Sequence, residues 1–293
     1  MTPKLIKSAG DLQTKHRAIC DGFLSQALQK TEKARPFVEK AKTFYTTLKK
    51  VKNIEGLLAN LEFRKDLASA CGFSDKAMAR LSSTELNGAV KKVLGKIYKE
   101  SGKEFRENIL YRYLLTKGDT LGGSMRNITG ASAGTKLTEK IIERLSNKKI
   151  QVVKSKTEKI QRVIWDGRTL LFDVKPKLIG KNVDVVLINT GDATTSEEKL
   201  LSDKSNYIAC GELKGGIDPA GADEHWKTAN SALGRIRTVF GRKVPALFFV
   251  GAAIEAAMAK EIYKQLQKGK LAHGANLNEE DQINDLVDWL LTL

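Results

Sequence analysis

Asn182-Val-Asp-Val-Val-Leu-Ile188 and Tyr207-Ile-Ala-Cys-Gly-Glu-Leu-Lys214 decide how this chain is read. Each is a short apolar run of the kind that forms a buried strand, and each carries charge inside it. The period-two alternation of a strand puts Glu212 and Lys214 on one face, about 7 Å apart along the chain. If the two strands are neighbours, Asp184 joins that face. Three charges in a core are costly unless they pair with one another or hold a metal.

Outward from these runs, residues 150–153, 163–165 and 170–174 read as short strands, with Asp166-Gly167 as a hairpin turn. A polar loop is expected over 189–205. Beyond Lys214, Asp218-Pro219 and Gly221 break the chain before a helix over 222–238. Pro245 opens a strand over 246–250, and helices over 254–267 and 279–291 follow. Strands alternating with helices in this order imply an α/β (α+β) core with a mixed sheet flanked by helices.

Toward the N-terminus the rhythm is helical. Apolar residues recur at three-and-four spacing over 12–29, 38–48, 54–70 and 86–98, with Lys and Glu on the remaining faces. Those lysines read as a solvated helical surface or as phosphate contacts. The Gly/Ser/Thr-rich segment 117–134 is expected to be a loop feeding a helix over 136–145. Such a loop serves equally as an interdomain connection or as a phosphate cradle. It lacks the P-loop pattern, and no strand precedes it as a dinucleotide fingerprint requires. The division this implies is a helical domain over 1–117 and a catalytic domain over 118–293.

Composition narrows the partners. With 50 Lys+Arg against 34 Asp+Glu, the net charge of +16 favours a polyanion, nucleic acid or an anionic membrane surface. No run approaches the ~20 apolar residues of a spanning helix, and the first residues have no apolar signal-peptide core. Cys20, Cys71 and Cys210 are odd in number and scattered, which suggests neither a disulfide framework nor a zinc site and points to the reducing cytoplasm. Aromatics at 6% and the lack of an RNP or KH motif count against an RNA-binding module.

Oxygen ligands without a Cys or His cluster suit Mg²⁺. Asp184, Glu212 and the backbone carbonyl of Leu213 are the candidate metal ligands. A metal there polarises phosphoryl oxygens and acidifies bound water, while Lys214 stabilises the charge of the transition state or orients the nucleophile. The same residues also read as a plain core salt bridge. What sets them apart is their place on two apolar strands of a basic protein.

Asp184…Glu212-Leu-Lys214 resembles the PD-(D/E)xK nuclease signature, with Val183 where that motif has proline. The 28-residue separation of the two carboxylates (212 − 184), together with Gly211-Glu-Leu-Lys-Gly-Gly-Ile-Asp-Pro-Ala-Gly-Ala-Asp-Glu-His-Trp-Lys227, resembles the AvaI/BsoBI family of type II restriction endonucleases. Gly118-Asp-Thr-Leu-Gly-Gly-Ser-Met-Arg-Asn127 is similar to a loop before the catalytic core of several restriction enzymes. The motif-level resemblance covers roughly 117–240, and it implies a PD-(D/E)xK core beside a helical domain.

It also implies Asp184 and Glu212 as metal ligands, Lys214 as the catalytic lysine and His225 as a general base near the scissile phosphate. Read from the residues alone, His225 is equally a helix-start histidine packed beside Trp226. Asp218 and Lys181 are implied base contacts, against a turn cap and a solvated lysine. Arg126, Arg235 and Arg237 are candidate phosphate contacts. The expected activity is Mg²⁺-dependent hydrolysis of double-stranded DNA at a degenerate G·C-rich palindrome of the CYCGRG type, leaving 5′-phosphates. A homodimer would cut both strands, and a cognate DNA methyltransferase would protect the host. The competing readings are a structure- or damage-directed repair nuclease and a DNA-binding protein without catalysis.

Overall fold

The computed structural model describes residues 3–51, 53–59, 62–191 and 196–293, without the side chains of 126, 127 and 129–132. In chain order come helices α1 (Ala9–Leu12), α2 (His16–Lys50), α3 (Ile54–Ala59), α4 (Arg64–Ala70), α5 (Asp75–Met78), α6 (Ser83–Ser101) and α7 (Phe105–Arg144). Strands β1 (Gln151–Lys154), β2 (Ile160–Trp165), β3 (Arg168–Val174) and β4 (Val183–Asn189) follow. Then come α8 (Glu197–Ser202), β5 (Tyr207–Lys214), α9 (Ala222–Phe240), β6 (Ala246–Gly251), α10 (Ala256–Gln267), β7 (His273–Asn276) and α11 (Glu280–Thr292).

The seven strands form one sheet in sequential order. From β1 to β5 each pair is antiparallel, and β5, β6 and β7 are parallel. The parallel half needs crossovers, which α9 and α10 supply. The hairpin between β2 and β3 turns at Asp166 (φ 42°) and Gly167 (φ 70°), the paired positive φ that a tight two-residue turn demands.

Helices cover both faces. On one, Trp226, Leu233 and Ile236 of α9 and Met258 and Ile262 of α10 pack on Val186, Cys210 and Phe249. On the other, Leu137 and Ile141 of α7 and Ile283, Leu286 and Leu290 of α11 pack on Val185, Leu187 and Phe248. Consecutive residues of β4 and β6 thus belong to opposite cores, as a strand buried on both faces requires.

The chain divides into two compact units, Met1–Leu24 with Asn127–Leu293, and Ser25–Arg126. The second is helical, with a core around Phe44, Leu94, Ile97, Ile109 and Tyr113. This division differs from the boundary read at 117/118, for two physical reasons. The glycine-rich segment is not a loop but part of the 40-residue helix α7. Within that segment Ala133 is buried against the sheet, Leu137 and Ile141 continue the same apolar stripe, and this packing overrides the ~1 kcal/mol that each interior glycine costs.

The second reason is a buried polar network that fastens the first residues to the sheet. Thr14 Oγ1 donates to the Ala252 carbonyl (2.9 Å) and accepts from the Ile254 N–H (2.9 Å) and Asn276 Nδ2 (2.9 Å). Asn276 Nδ2 also donates to the Leu12 carbonyl (2.9 Å), and Gln282 Nε2 to that of Asp11 (2.6 Å).

Other expectations shift more modestly. The helices read over 12–29 and 38–48 are one helix, α2, with Pro36 inside it. The helix read over 54–70 is two, α3 and α4. The loop read over 189–205 contains α8, with 192–195 outside the described residues. Among the described residues, no helix is long and apolar enough to cross a membrane.

Candidate active site

Asp184 and Glu212 enter the site from adjacent strands. Val185 lies opposite Gly211 and Val186 opposite Cys210, so one further step of the same register sets Asp184 across from Glu212. Val186 and Cys210 face the α9 side of the sheet, and alternation sends Asp184, Glu212 and Lys214 to that side as well. Gly211 has its own reason: a Cβ there would lie 2.1 Å from the Phe248 ring, so only glycine lets that ring cover the strand.

Lys214 closes the cluster. Its Nζ lies 3.0 Å from Asp184 Oδ2, 2.8 Å from Glu212 Oε2 and 3.2 Å from the Leu213 carbonyl oxygen. Asp184 Oδ2 also accepts the Leu213 N–H at 2.8 Å. The Glu212 side chain is 5% exposed, that of Lys214 18% and that of Asp184 25%, so the cluster is walled by protein and opens on the Asp184 side.

Burial pushes the Glu212 carboxyl up to about 7, the neighbouring Asp184 adds to the rise, and Lys214 offsets only part of it. Burial also works against charge on Lys214, but the two carboxylates outweigh it and hold the ammonium above its ordinary value. The arrangement therefore carries one more carboxylate than its single lysine neutralises, and it has room for a second cation's charge. Three oxygens, from Asp184, Glu212 and Leu213, already converge on one cationic atom, and hard oxygen donors of this kind fit Mg²⁺. No group of three or more His, Cys, Asp or Glu able to hold a metal occurs among the described residues, so any such ion relies on the backbone carbonyl or on water.

A family model described as restriction endonuclease BsobI matches residues 3–167 and 160–293, nearly the whole chain. The chain belongs to the BsobI restriction endonuclease family. Two type II restriction enzymes named AvaI, from Nostoc sp. and Anabaena variabilis, are each 39% identical to it over 310 residues, covering 98% of both chains. The type II restriction enzyme BsoBI of Geobacillus stearothermophilus is 36% identical over 313 residues, covering 98% of this chain and 97% of its own. The resemblance first seen over 117–240 thus extends through the N-terminal helices.

Family membership leaves the remaining candidates to be located. Strand β5 runs into Gly215-Gly-Ile-Asp218, then a 3₁₀ turn (Pro219–Gly221), then α9. His225 stands half-buried in the first turns of α9, with its Nε2 over Gly216 and Gly221. Asp218 is exposed, and its Oδ1 accepts the Ala220 N–H at 3.0 Å, so it caps the turn with one oxygen, while among the described residues the other has no hydrogen-bond partner. Lys181 is exposed, three residues before Asp184.

Arg235 is half-buried on α9. Arg237 is turned inward: its Nη2 donates to Gln265 Oε1 of α10 at 3.0 Å, and burial lowers its pKa. The side chain of Arg126 lies outside the described residues; its backbone sits within α7 rather than in a loop.

Sequence reasoning missed the seats on which these residues rest. Gly22 of α2 lies against Ile217, where a Cβ would come within 2.5 Å of Ile217 Cγ1. No local signal announces such a contact between residues nearly two hundred positions apart.

Proposed function

We propose that this chain is a type II restriction endonuclease that hydrolyses duplex DNA with Mg²⁺, and that Asp184, Glu212 and Lys214 form its cleavage site. The observation carrying the reading is the bridging position of Lys214 between two carboxylates on neighbouring strands, in a chain of the BsobI family. Asp184, Glu212 and the Leu213 carbonyl would hold the metal, which would polarise the phosphoryl group and acidify a nearby water.

The protein's own residues do the rest. Lys214 holds its ammonium beside the developing phosphorane charge, where the low surrounding exposure keeps the interaction strong. His225 takes a proton from the water as its oxygen bonds to phosphorus, and the P–O3′ bond breaks with the 3′-oxygen taking a proton from solvent, giving a 5′-phosphate and a 3′-hydroxyl. Asp218, through its free carboxylate oxygen, and Lys181 read base edges in the major groove. Arg235 and Arg126 meet the backbone, and Arg237, committed to Gln265, supports the helix that carries Arg235.

The net charge of +16 serves the same partner through its phosphates. We assign a degenerate G·C-rich palindrome of the CYCGRG type as target and a homodimer as the acting species, since a two-fold site calls for two symmetric active centres. The sheet-bearing unit, Met1–Leu24 with Asn127–Leu293, is the catalytic domain. The enzyme works in the cytoplasm beside a methyltransferase that shields the same sequence. The test is digestion of a plasmid by purified protein with Mg²⁺ or EDTA, alongside Lys214→Ala. Discrete Mg²⁺-dependent fragments, absent with the variant and ending in 5′-phosphates, are expected. A smear, or salt-sensitive binding without cleavage, would overturn the reading.

A further inference from the structure

The imidazole of His225 has no hydrogen bond or ion pair among the described residues. A histidine that moves a proton is ordinarily held by a second group bonded to its other nitrogen, which fixes the ring's direction. Here something else must do so, and what lies beneath the ring is glycine. A Cβ built on Gly216 would come within 2.9 Å of His225 Nε2 and 3.4 Å of Cδ2, and one built on Gly221 within 3.4 Å of Nε2. The ring therefore rests on bare backbone at two points, one on each side of the Ile217–Asp218 step.

Gly216 is also not required by its own backbone. It is absent from the glycines with positive φ, which here include Gly167, Gly180 and Gly241. An L-residue can adopt its conformation, so the contact with the imidazole is the physical reason left for glycine at this position. The neighbouring Ile217 is buried against Gly22 of α2, which anchors the loop that forms the seat. Gly216 stands two residues beyond Lys214, within about 7 Å of it along the chain, so the seat sits beside the cluster it would serve.

We infer that Gly216, with Gly221 as a second support, is a positioning residue: its missing side chain is what sets the direction of the His225 imidazole toward the cleavage site. The inference rests on the role proposed for His225. A methyl at 216 meets only the far end of a side chain that can rotate away, so Gly216→Ala should fold normally and displace the ring. A displacement of about 1 Å at a proton-transferring group lowers the rate about 100-fold.

The experiment is a double-mutant cycle on the full-length protein: wild type, Gly216→Ala, His225→Ala and the double variant. Each is measured by single-turnover cleavage of plasmid with Mg²⁺, by DNA affinity with Ca²⁺ in place of Mg²⁺, and by thermal midpoint. Gly216→Ala is expected to cleave about 10- to 100-fold more slowly, with affinity within about three-fold of wild type and an unchanged midpoint. In the His225→Ala background the second substitution should cost nothing further, because the group it displaces is gone.

Wild-type cleavage by Gly216→Ala, equal losses in both backgrounds, or a melting point lowered by several degrees would each overturn the inference. The last would mean that the methyl strikes the backbone rather than the ring. Failure of the parent reading looks different: there the wild type itself does not cut, or His225→Ala cuts at full rate.

Discussion

Replacing Glu212 by glutamine is expected to abolish cleavage and yet make the metal-free sheet unit more stable above neutral pH. The reason lies in the cost of ionising this carboxyl where it stands. Its value rises from an ordinary 4.5 to about 7, chiefly through burial and then through Asp184. Such a shift corresponds to about 3 kcal/mol of ionisation cost carried by the folded state.

The sign follows directly. A carboxyl whose folded value lies above its unfolded one binds more protons when folded, so stability falls as pH rises between 4.5 and about 7. Above that window the full cost is present; below it there is none. Glutamine carries no charge at any pH, so Glu212→Gln should gain up to ~3 kcal/mol over wild type at pH 8 in EDTA and almost nothing at pH 4.5. The favourable Lys214 contact of 2.8 Å is already included in that net figure.

Urea titration followed by tryptophan fluorescence is the assay. The chain's three tryptophans, Trp165, Trp226 and Trp289, all lie in the sheet-bearing unit, so the signal reports that unit alone. Mg²⁺ should then stabilise wild type more than the variant. A variant less stable than wild type at pH 8, or a gap that does not shrink toward pH 4.5, would refute the reasoning.

Other outcomes follow from the same geometry. Gly211→Ala places a methyl 2.1 Å from the Phe248 ring in a closed core and should lower stability by ~2 kcal/mol or more; Phe248→Leu in the same chain should recover part of it in a urea titration. Of the three thiols, exposed Cys20 should react with a disulfide reagent in the native protein. Cys71, which burial pushes up to about 12, and Cys210, raised further by burial, should react only after denaturation.

His273 is 2% exposed, and burial lowers its value below 6.5 despite the opposing pull of Asp285, so its contribution is lost as pH falls below 6.5. His273→Gln should therefore lose less stability than wild type between pH 7 and pH 5, read as the difference between their urea midpoints.

What the sequence disclosed and what it hid divide along a physical line. The strands around Asp184 and Glu212 were legible because a strand buried on both faces is an apolar run, and a charge within it stands out. The Asp166-Gly167 turn was legible because its backbone needs positive φ. The segment 117–134 misled because glycine content is local, whereas the packing that keeps α7 helical is not. Strand β7, His273-Gly-Ala-Asn276, has four residues and no apolar alternation, and its identity comes from pairing beside β6. The seat of His225 was hidden for the opposite reason: its signal is an absent atom.

The fastening of Thr14 to Asn276 and of Asp11 to Gln282 bears on how the enzyme comes into being. Its partners are separated by 262 and 271 positions, so residues 11–14 cannot dock in this way until residues 276–282 have left the ribosome. At ~5–20 residues per second, this segment waits for tens of seconds. A partly synthesised chain thus carries Asp184, Glu212 and Lys214 before this clasp has formed. Residues 11–14 therefore take their place only after all three of these side chains have been made.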